Sequence, residues 1–405
     1  MANKKHLKKG DNLLGRITEL DNLPPYITDL SASEISSGTK ALIVDGKLVM
    51  VEDKGVVRIL PKVWGGIYFS IYNRKGKTWT WGRGSLGRLG NNSIVDKSIP
   101  TPIYGDQLLF FFGISGSSVV GIDEFNKAWA WGRNHVGQLG DNTADDKSTP
   151  VSVYGNHQFS KISTLTHTVA IDNNDQAWAW GGNWSGQLGD NTTTNHSTPV
   201  MVCGNHSFSS IEAGSGYTLA LTNNGQAWSW GYNDFGQLGD NTTTIQCTPV
   251  AVCGGHTFCH ISGGSHHSLA IDSSGQAWGW GLNHLGQLGD GTTDSRTTPV
   301  AICGNHVFCY ITSGSGFSLG IDHKGRAWAW GGNTYGQLGN ETTTSESTPI
   351  AVCGNHKFFI LDAAEGHVVG VDQRGQAWSW GRNNYGQLGD NTTTDRRTPV
   401  RVCHL

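Results

Sequence analysis

The chain has 405 residues and a formal net charge of −3; charged residues make up 15% of it and hydrophobic residues 37%. This balance excludes an intrinsically disordered chain, and 57 glycines and 16 tryptophans favour a compact, turn-rich β protein over a helical one. The near-neutral charge offers no basic stripe for phosphates, and no apolar run approaches the ~18 residues that span a bilayer. We therefore expect neither nucleic-acid binding nor membrane insertion.

Residues 1–55 do not repeat and are predicted to form an N-terminal arm. The opening segment MANKKHLKKG lacks the apolar region of a signal peptide, so we expect a soluble protein. Residues 35–51 predict a Gly-turned β-hairpin. The segment SASEISSGTKALIV at residues 31–44 is similar to the attachment segments of phage tail-fibre and other virion proteins. This resemblance implies that the arm tethers the chain to a larger assembly.

Residues 56–405 contain an internal repeat. The motif Trp-x-Trp-Gly begins seven times at intervals of 49 or 50 residues, and a proline follows each first tryptophan 21 residues later. Periods of this size are typical of propellers and solenoids, whose units bury their faces only against their neighbours. The first tryptophans of the motif are Trp79, Trp129, Trp178, Trp228, Trp278, Trp328 and Trp378.

Each repeat predicts four short strands. The pair Asn224-Gly225 between the second and third strands predicts a two-residue hairpin of type I′, which requires positive φ. The two tryptophans of the third strand share one face because side chains alternate, and small residues such as Ala177 and Ala179 occupy the other face. In the fourth repeat the strand segments are Gly204–Ile211, Leu219–Leu221, Gln226–Gly231 and Thr248–Val252.

Large and small faces on neighbouring sheets can interdigitate, and radial closure protects sheet edges. The repeat therefore predicts an all-β, seven-bladed β-propeller of four-stranded blades over residues 56–405, with a short arm at residues 1–55. Counted back from the C-terminus, the first unit begins within residues 56–60. The last strand, near residues 398–402, pairs either with the first blade, as a latch, or with its own seventh blade; both remain open.

The segment WSWGYNDFGQLGD at Trp228–Asp240 resembles the repeat of the regulator-of-chromosome-condensation family. WD repeats instead require a Trp-Asp dipeptide, and kelch repeats a paired-glycine signature. The resemblance covers residues 56–405 and implies a seven-bladed propeller. The family includes a nucleotide-exchange factor for the small GTPase Ran, a plant ultraviolet photoreceptor, a bacterial β-lactamase inhibitor and many interaction modules. The fold therefore does not decide the function.

The sequence departs from two of these family members. The exchange factor carries a β-wedge inserted beyond the regular blade, whereas no insertion here exceeds one or two residues. The photoreceptor carries Gly-Trp-Arg-His-Thr motifs, and none occurs here. Apart from Trp64 and Trp184, every tryptophan belongs to the repeat, so we expect the indoles to have a packing role.

Recurring histidines and aspartates are candidate metal ligands. Equivalent positions on a propeller lie too far apart for shared coordination, and one Asp loop offers fewer oxygens than calcium takes. Asx and Ser/Thr turns explain the aspartates, and turn formation explains the histidines. We therefore expect no metal and no cofactor. The residues are His157, His206, His256, His306, His356, Asp141, Asp190, Asp240, Asp290 and Asp390.

The outer residues of the Gly-x-Asn-x-x-Gly loops differ between repeats. Equivalent loops of a propeller emerge on one face, so these positions predict a solvent-exposed ring rich in aromatic and histidine side chains. Interface hot spots favour Trp, Tyr and Arg, which indicates a binding face; unselected loop variation is the alternative. The predicted binding residues are Arg133, His135, Trp184, Tyr232, Phe235, His284, Tyr335, Arg382 and Tyr385.

No asymmetric set of catalytic residues stands out from the repeats, so we expect a protein that is not an enzyme. The leading hypothesis is a non-catalytic propeller that binds a protein partner or surface receptor through its loops. Residues 1–55 would tether it to a larger assembly such as a phage virion, as a fibre or decoration protein. The alternative is a guanine-nucleotide exchange factor or other regulator of a small GTPase. The expected location is the virion or otherwise the cytoplasm.

Overall fold

The computed structural model describes residues 62–403, together with the backbone of three strands that precede them. The chain divides into two units, residues 1–60 and 61–405. In the first unit Lys40–Val44 and Lys47–Val51 form an antiparallel pair, which confirms a hairpin here, and Val57–Ile59 pairs with the second strand. The rest of the predicted arm lies outside the described residues. The division at residue 55 stays a prediction.

The second unit is a ring of seven four-stranded antiparallel sheets, which confirms the predicted all-β propeller. A short 3-10 turn, Ser85–Gly87, lies in blade 1, and residues 62–403 include no helix that could cross a membrane. Blades 1 to 4 comprise, in chain order, Lys62–Gly65, Phe69–Arg74, Lys77–Gly82, Lys97–Pro102, Leu109–Ile114, Ser118–Asp123, Ala128–Gly132, Lys147–Ser152, Phe159–Thr164, His167–Asp172, Ala177–Gly181, His196–Met201, Phe208–Ala213, Tyr217–Thr222, Ala227–Gly231 and Gln246–Ala251. Blades 5 to 7 comprise Phe258–Gly263, His267–Asp272, Ala277–Gly281, Arg296–Ala301, Phe308–Ser313, Phe317–Asp322, Ala327–Gly331, Glu346–Ala351, Phe358–Ala363, His367–Asp372, Ala377–Gly381 and Arg396–Arg401.

The blades pack through the predicted pairing of large and small faces. In blade 5, Trp280 is fully buried against Leu219 and Ala227 of blade 4, and its indole Nε1–H donates to the Gln237 carbonyl at 2.9 Å. Gly239 permits this approach, because a Cβ there would lie 2.8 Å from the indole nitrogen. The equivalent bonds at 2.9–3.1 Å are Trp131 to Arg88, Trp180 to Gln138, Trp230 to Gln187, Trp330 to Gln287, Trp380 to Gln337 and Trp81 to Gln387.

The ring closes without a shared strand. The C-terminal strand Arg396–Arg401 pairs with the third strand of its own blade 7, which decides between the two alternatives left open by the sequence. Blade 1 instead meets blade 7 face to face: the backbone N–H of Gly65 donates to Asp362 Oδ2 at 2.7 Å. The bond from Trp81 to Gln387 completes the series of indole bonds around the ring. Closure therefore repeats the interface found between the other blades.

The hairpins between the second and third strands differ from the predicted type. In blade 5 the N–H of Gly275 donates to the carbonyl of Asp272 at 3.0 Å, and Gly275 alone has positive φ, at 83°. This is a type I turn followed by a left-handed residue, whereas type I′ needs two positive φ values. In the described blades, only Lys75-Gly76 of blade 1 has both. The prediction of type I′ turns was therefore wrong for blades 2 to 7.

A carboxylate at the start of these turns also binds the first tryptophan of the motif. In blade 5, Asp272 Oδ1 accepts the N–H groups of Ser274 and Gln276, and Oδ2 accepts the indole N–H of Trp278 at 3.0 Å. Blades 2, 3, 6 and 7 repeat the indole bond. Blade 4 carries Thr222 at the equivalent position, and the buried Nε1 of Trp228 has no partner. A buried donor without an acceptor costs stability.

Replacing Thr222 by Asp should therefore stabilise the protein. The new carboxylate would accept the Trp228 indole and the turn N–H groups, as Asp272 does, for a gain of about 1 kcal/mol. Thermal unfolding of T222D should show a higher midpoint than the parent chain. The reverse change in blade 5, D272T, should lower the midpoint. A T222D midpoint equal to or below that of the parent would contradict this account of the turn.

Candidate functional site

One end of the ring carries both the variable loops and the mouth of a central channel. In an antiparallel four-stranded blade, the connections between strands 1 and 2 and between strands 3 and 4 lie at the same end. The first strands of neighbouring blades contact each other and line a cavity of about 460 Å³. Arg133, His135 and Trp184 border the same cavity. We call this end of the ring the loop face.

A buried asparagine holds the variable loop in each of blades 2 to 7. In blade 4, Asn233 Nδ2 donates to Asp240 Oδ1 and to the Thr242 carbonyl, both at 3.1 Å, while its Oδ1 accepts the N–H of Leu238. Asp240 Oδ1 in turn accepts the N–H and hydroxyl of Thr242. These bonds confirm the predicted Asx and Ser/Thr turns at the recurring aspartates. The loop backbone is therefore fixed, and its outer side chains project from a rigid base.

The recurring histidines pack against tryptophan. His256 lies with its ring centroid 3.9 Å from that of Trp278, and the other four make the same contact at 3.9–4.2 Å. Each histidine thus covers the outer indole of its blade. The sequence had predicted a role in forming the turn instead. The described residues contain no group of three or more His, Cys, Asp or Glu that could hold a metal ion.

The nine predicted binding residues all lie in these loops, but the structure does not bring them into one patch. Arg133, His135, Trp184 and His284 are exposed, and the other five are half-buried. Two groups of neighbours form at different blades. Around the junction of blades 7 and 1, Arg382 contacts Tyr335 of blade 6 and Tyr68 of blade 1, and Tyr385 also contacts Tyr68. Tyr232 and Phe235 contact each other in blade 4.

The group at blade 4 is aromatic. The rings of Tyr232 and Phe235 lie 6.2 Å apart, and both contact His266, at 5.9 and 5.2 Å. Partial burial lowers the pKa of His266, with His284 as a second cause, so the imidazole stays neutral at pH 7. The indole of Trp184 is 53% exposed in the preceding blade. This side of the loop face offers apolar rings to a partner.

The group at blades 7 and 1 is cationic and aromatic. The Arg382 guanidinium lies 5.2 Å from the ring centroid of Tyr68 and 4.9 Å from that of Tyr335. Arg83 lies 5.3 Å from Tyr68 and 5.0 Å from Tyr385. Arg88 lies 6.0 Å from the same ring, so three guanidinium groups surround Tyr68, a geometry that holds these side chains in place.

Sequence reasoning missed Tyr68, Arg83 and Arg88. Arg83 occupies the same repeat position as Arg133 and Arg382, directly after the Trp-x-Trp-Gly motif, so the signal was present. It was missed because the blade 1 loop replaces the repeat's Asn by Gly84 and its Gln by Arg88. Burial lowers the pKa of Arg88 to about 10, with Arg83 as a further cause, and its Nη1 donates to the Gly116 carbonyl at 3.0 Å. Arg88 therefore stays charged at pH 7.

Two of the first strands carry a carboxyl group that faces the channel, and neither group recurs in every repeat. Glu212 Oε2 accepts the hydroxyl of Ser163 at 3.0 Å, and Asp362 Oδ2 accepts the Gly65 N–H. Burial raises the pKa of each carboxyl to about 7. The hydrogen bonds partly offset the cost of taking these groups out of bulk water.

These two carboxyls should make stability fall as pH rises. Their pKa values in the folded protein exceed those of the unfolded chain, about 4, so the folded protein holds the protons more tightly. The resulting stabilisation is present below about pH 4 and is lost as the pH rises towards 7. The stability of the variant E212Q/D362N relative to the parent should therefore increase by on the order of a few kcal/mol between pH 5 and pH 8.

Thermal unfolding across this pH range checks the expectation. E124Q, which removes an exposed hairpin carboxyl, serves as the control and should follow the parent at every pH. If the unfolding midpoints of E212Q/D362N and the parent differ by the same amount at every pH, the channel carboxyls do not titrate as described.

Comparisons with known proteins support one family. The model of the RCC1-like domain matches residues 78–405. The structure of human WBSCR16 superposes with a TM-score of 0.73 at 19% identity, over 80% of this chain and 93% of that one. Prp20p of Saccharomyces cerevisiae superposes with a TM-score of 0.71 at 21% identity, over 85% and 86% of the two chains. At these identities the structures show a shared fold alone. No curated protein sequence matches the chain.

None of these findings supports the predicted virion role, and most of residues 31–44 lies outside the described part of the chain. The family match covers the described blades from the first Trp-x-Trp-Gly motif onward, and the fold, the repeat and the buried indole bonds agree with it. The chain belongs to the RCC1-like domain family.

Proposed function

We propose that this protein is a non-catalytic propeller that binds and regulates a protein partner through its loop face. One observation carries the proposal. The buried scaffold of the loops repeats around the ring, whereas the side chains that the scaffold presents to solvent differ from blade to blade. A rigid base with varied aromatic and arginine side chains matches the composition of interface hot spots and limits the entropy lost on binding.

The buried histidines support a non-catalytic role. His167 and His267 are fully buried, and their Nε2 atoms hydrogen-bond Thr218 and Ser318 of the next blade at 2.7 and 3.0 Å. Burial lowers the pKa of both imidazoles to about 3. Neutral imidazoles that are engaged between blades join the sheets and are not placed for proton transfer to a bound substrate.

A small GTPase is the partner class that the comparisons favour. The structure of Prp20p, similar to this chain, is described with its binding properties to Gsp1p and histones. The family that the repeat resembles includes an exchange factor for a small GTPase. The connections between the third and fourth strands have the same length in all seven blades, and none of them holds an inserted wedge. We therefore propose a GTPase regulator that binds through the loop face.

The test measures GTPase binding and nucleotide release with the full chain. Binding to a panel of small GTPases in GDP-bound, GTP-analogue-bound and nucleotide-free forms is followed by biolayer interferometry, and release of fluorescent GDP is followed in parallel. The variant W184A/Y232A should weaken binding at least ten-fold, because large aromatic side chains dominate interface energies. Binding without faster nucleotide release would identify a regulator that is not an exchange factor.

The control variant is F125A/Y154A, which removes two exposed aromatic side chains from the opposite end of the ring. It should bind like the parent. If the control loses binding and W184A/Y232A does not, the loop face is the wrong surface. If no GTPase binds, the partner class is wrong. Photocrosslinking from position 184, compared with position 125, in cells that express the chain then tests the binding role itself.

A further inference from the structure

Three neighbouring blades present arginine at the same repeat position. Arg382, Arg83 and Arg133 each follow the Trp-x-Trp-Gly motif directly, in blades 7, 1 and 2, which are consecutive around the closed ring. The other four blades carry Gly182, Tyr232, Leu282 and Gly332 there. The loop face is therefore cationic along one arc and uncharged at this position along the rest.

The guanidinium groups of this arc have no carboxylate partner. Among residues 62–403, none of Arg83, Arg133 and Arg382 lies within 4.0 Å of a carboxylate oxygen, and the Nε of Arg382 is buried without a hydrogen-bond acceptor. Tyrosine rings hold Arg83 and Arg382 in place, but a ring does not neutralise the charge or accept all five N–H groups. Arg83 and Arg382 are thus preorganised by ring contacts, and none of the three guanidinium groups is in an ion pair within the described part of the chain.

The carboxylates of the same loops are already engaged. Asp96 and Asp146 sit at equivalent positions and accept the backbone N–H groups of Gly84 and Asn134 at 2.8 and 2.7 Å, as Asp395 does for Asn383. Burial raises the pKa of the nearby Glu365 carboxyl, and the Arg382 guanidinium and a hydrogen bond with Tyr68 partly offset this rise, while Oε2 of Glu365 has no hydrogen-bond partner. Arg88 adds a buried positive charge below Arg83 without a carboxylate in contact.

We propose that Arg83, Arg133 and Arg382, with Tyr68, Tyr335 and Tyr385, form a site for an acidic peptide segment of a protein partner. The inference rests on the proposed function, since it names the chemistry of a partner at the loop face. Planar guanidinium groups pair with carboxylates through two parallel N–H bonds, and tyrosine rings pack against the aliphatic parts of the bound side chains.

A peptide fits this arc better than a nucleic acid does. Nucleic-acid binding draws most of its affinity from many cations that follow the phosphate backbone. Here three arginines lie on a chain with a net charge of −3, and the other four blades carry no basic residue at this position. Carboxylates on alternate residues of an extended segment require only a few fixed guanidinium groups.

The test measures peptide binding by fluorescence anisotropy with the full chain. The probe is a labelled ten-residue peptide of alternating Glu and Gly, and the matched probe replaces each Glu by Gln. The parent chain should bind the acidic peptide at least ten-fold more tightly than the Gln peptide, with an affinity that falls as salt rises. The variant R83Q/R382Q should lose this preference.

The matched control R374Q/R401Q removes two exposed arginines of blade 7, one in the hairpin at the opposite end of the ring and one at the end of the outer strand, and should leave binding unchanged. A second variant, R133Q, covers the case in which R83Q/R382Q fails to fold, because it changes one exposed side chain that contacts no ring. R133Q should weaken binding of the acidic peptide at least three-fold. Equal binding of the two peptides, or equal loss in R83Q/R382Q and the control, would overturn the proposal.

Binding of single-stranded DNA and duplex RNA oligonucleotides is measured in the same assay. Tighter, arginine-dependent binding of either one would overturn the peptide assignment in favour of a phosphate site. Crosslinks from position 184 separate this inference from the proposed function. If a protein crosslinks at the loop face but the acidic peptide does not bind, only the present inference fails; if neither occurs, both fail.

Discussion

The fold depends on an indole N–H that reaches from each blade to a backbone carbonyl of the blade before it. Trp280 shows the requirement: its ring fills the space over Leu219 and Ala227, and its nitrogen must find an acceptor because it is fully buried. The carbonyl of Gln237 supplies that acceptor at 2.9 Å. Apolar packing is tolerant of small shifts, whereas this bond sets the position of one sheet on the next. Repeated around the ring, it makes the blades a rigid frame.

The same frame separates structural residues from displayed ones. Gln237 offers its carbonyl to the neighbouring blade, while its side-chain Oε1 accepts the N–H of Phe235 and helps to shape the loop. Asn233 anchors the other side of that loop. Substitutions at the outer positions therefore leave the packing of the blades intact. Such a division explains how arginine can cluster in blades 7, 1 and 2 while aromatic side chains gather in blade 4.

Much of the frame could be predicted because it rests on local periodicity. The alternation of Ala177, Trp178, Ala179 and Trp180 predicts which sides meet, since strand geometry places alternate side chains on opposite faces. The hairpins were mispredicted because glycine with positive φ suits both turn types, and the Asp272 carbonyl bond that distinguishes them is not visible in the residue pattern.

The candidate site was only partly predictable. Loop positions such as Arg382 and Tyr385 stand out from the repeat, whereas Arg83 lies in a loop that lacks the Asn and Gln landmarks. Its proximity to Arg382 follows from ring closure, which brings together residues about 300 positions apart; the sequence left open only which blade the last strand pairs with. Glu212 and Asp362 could not be recognised as channel carboxyls from the sequence, because the sequence does not show that the first strands line the channel.

Ring closure through an ordinary blade interface has a consequence for how such a chain can change. Each blade is one unbroken stretch, and the seam between blades 7 and 1 uses the indole bond found at the other junctions. No junction is privileged, so the termini could be moved to another blade boundary by circular permutation without loss of a strand pairing. A gene built of such interchangeable units can exchange or diversify single blades by recombination while the protein still closes into a ring.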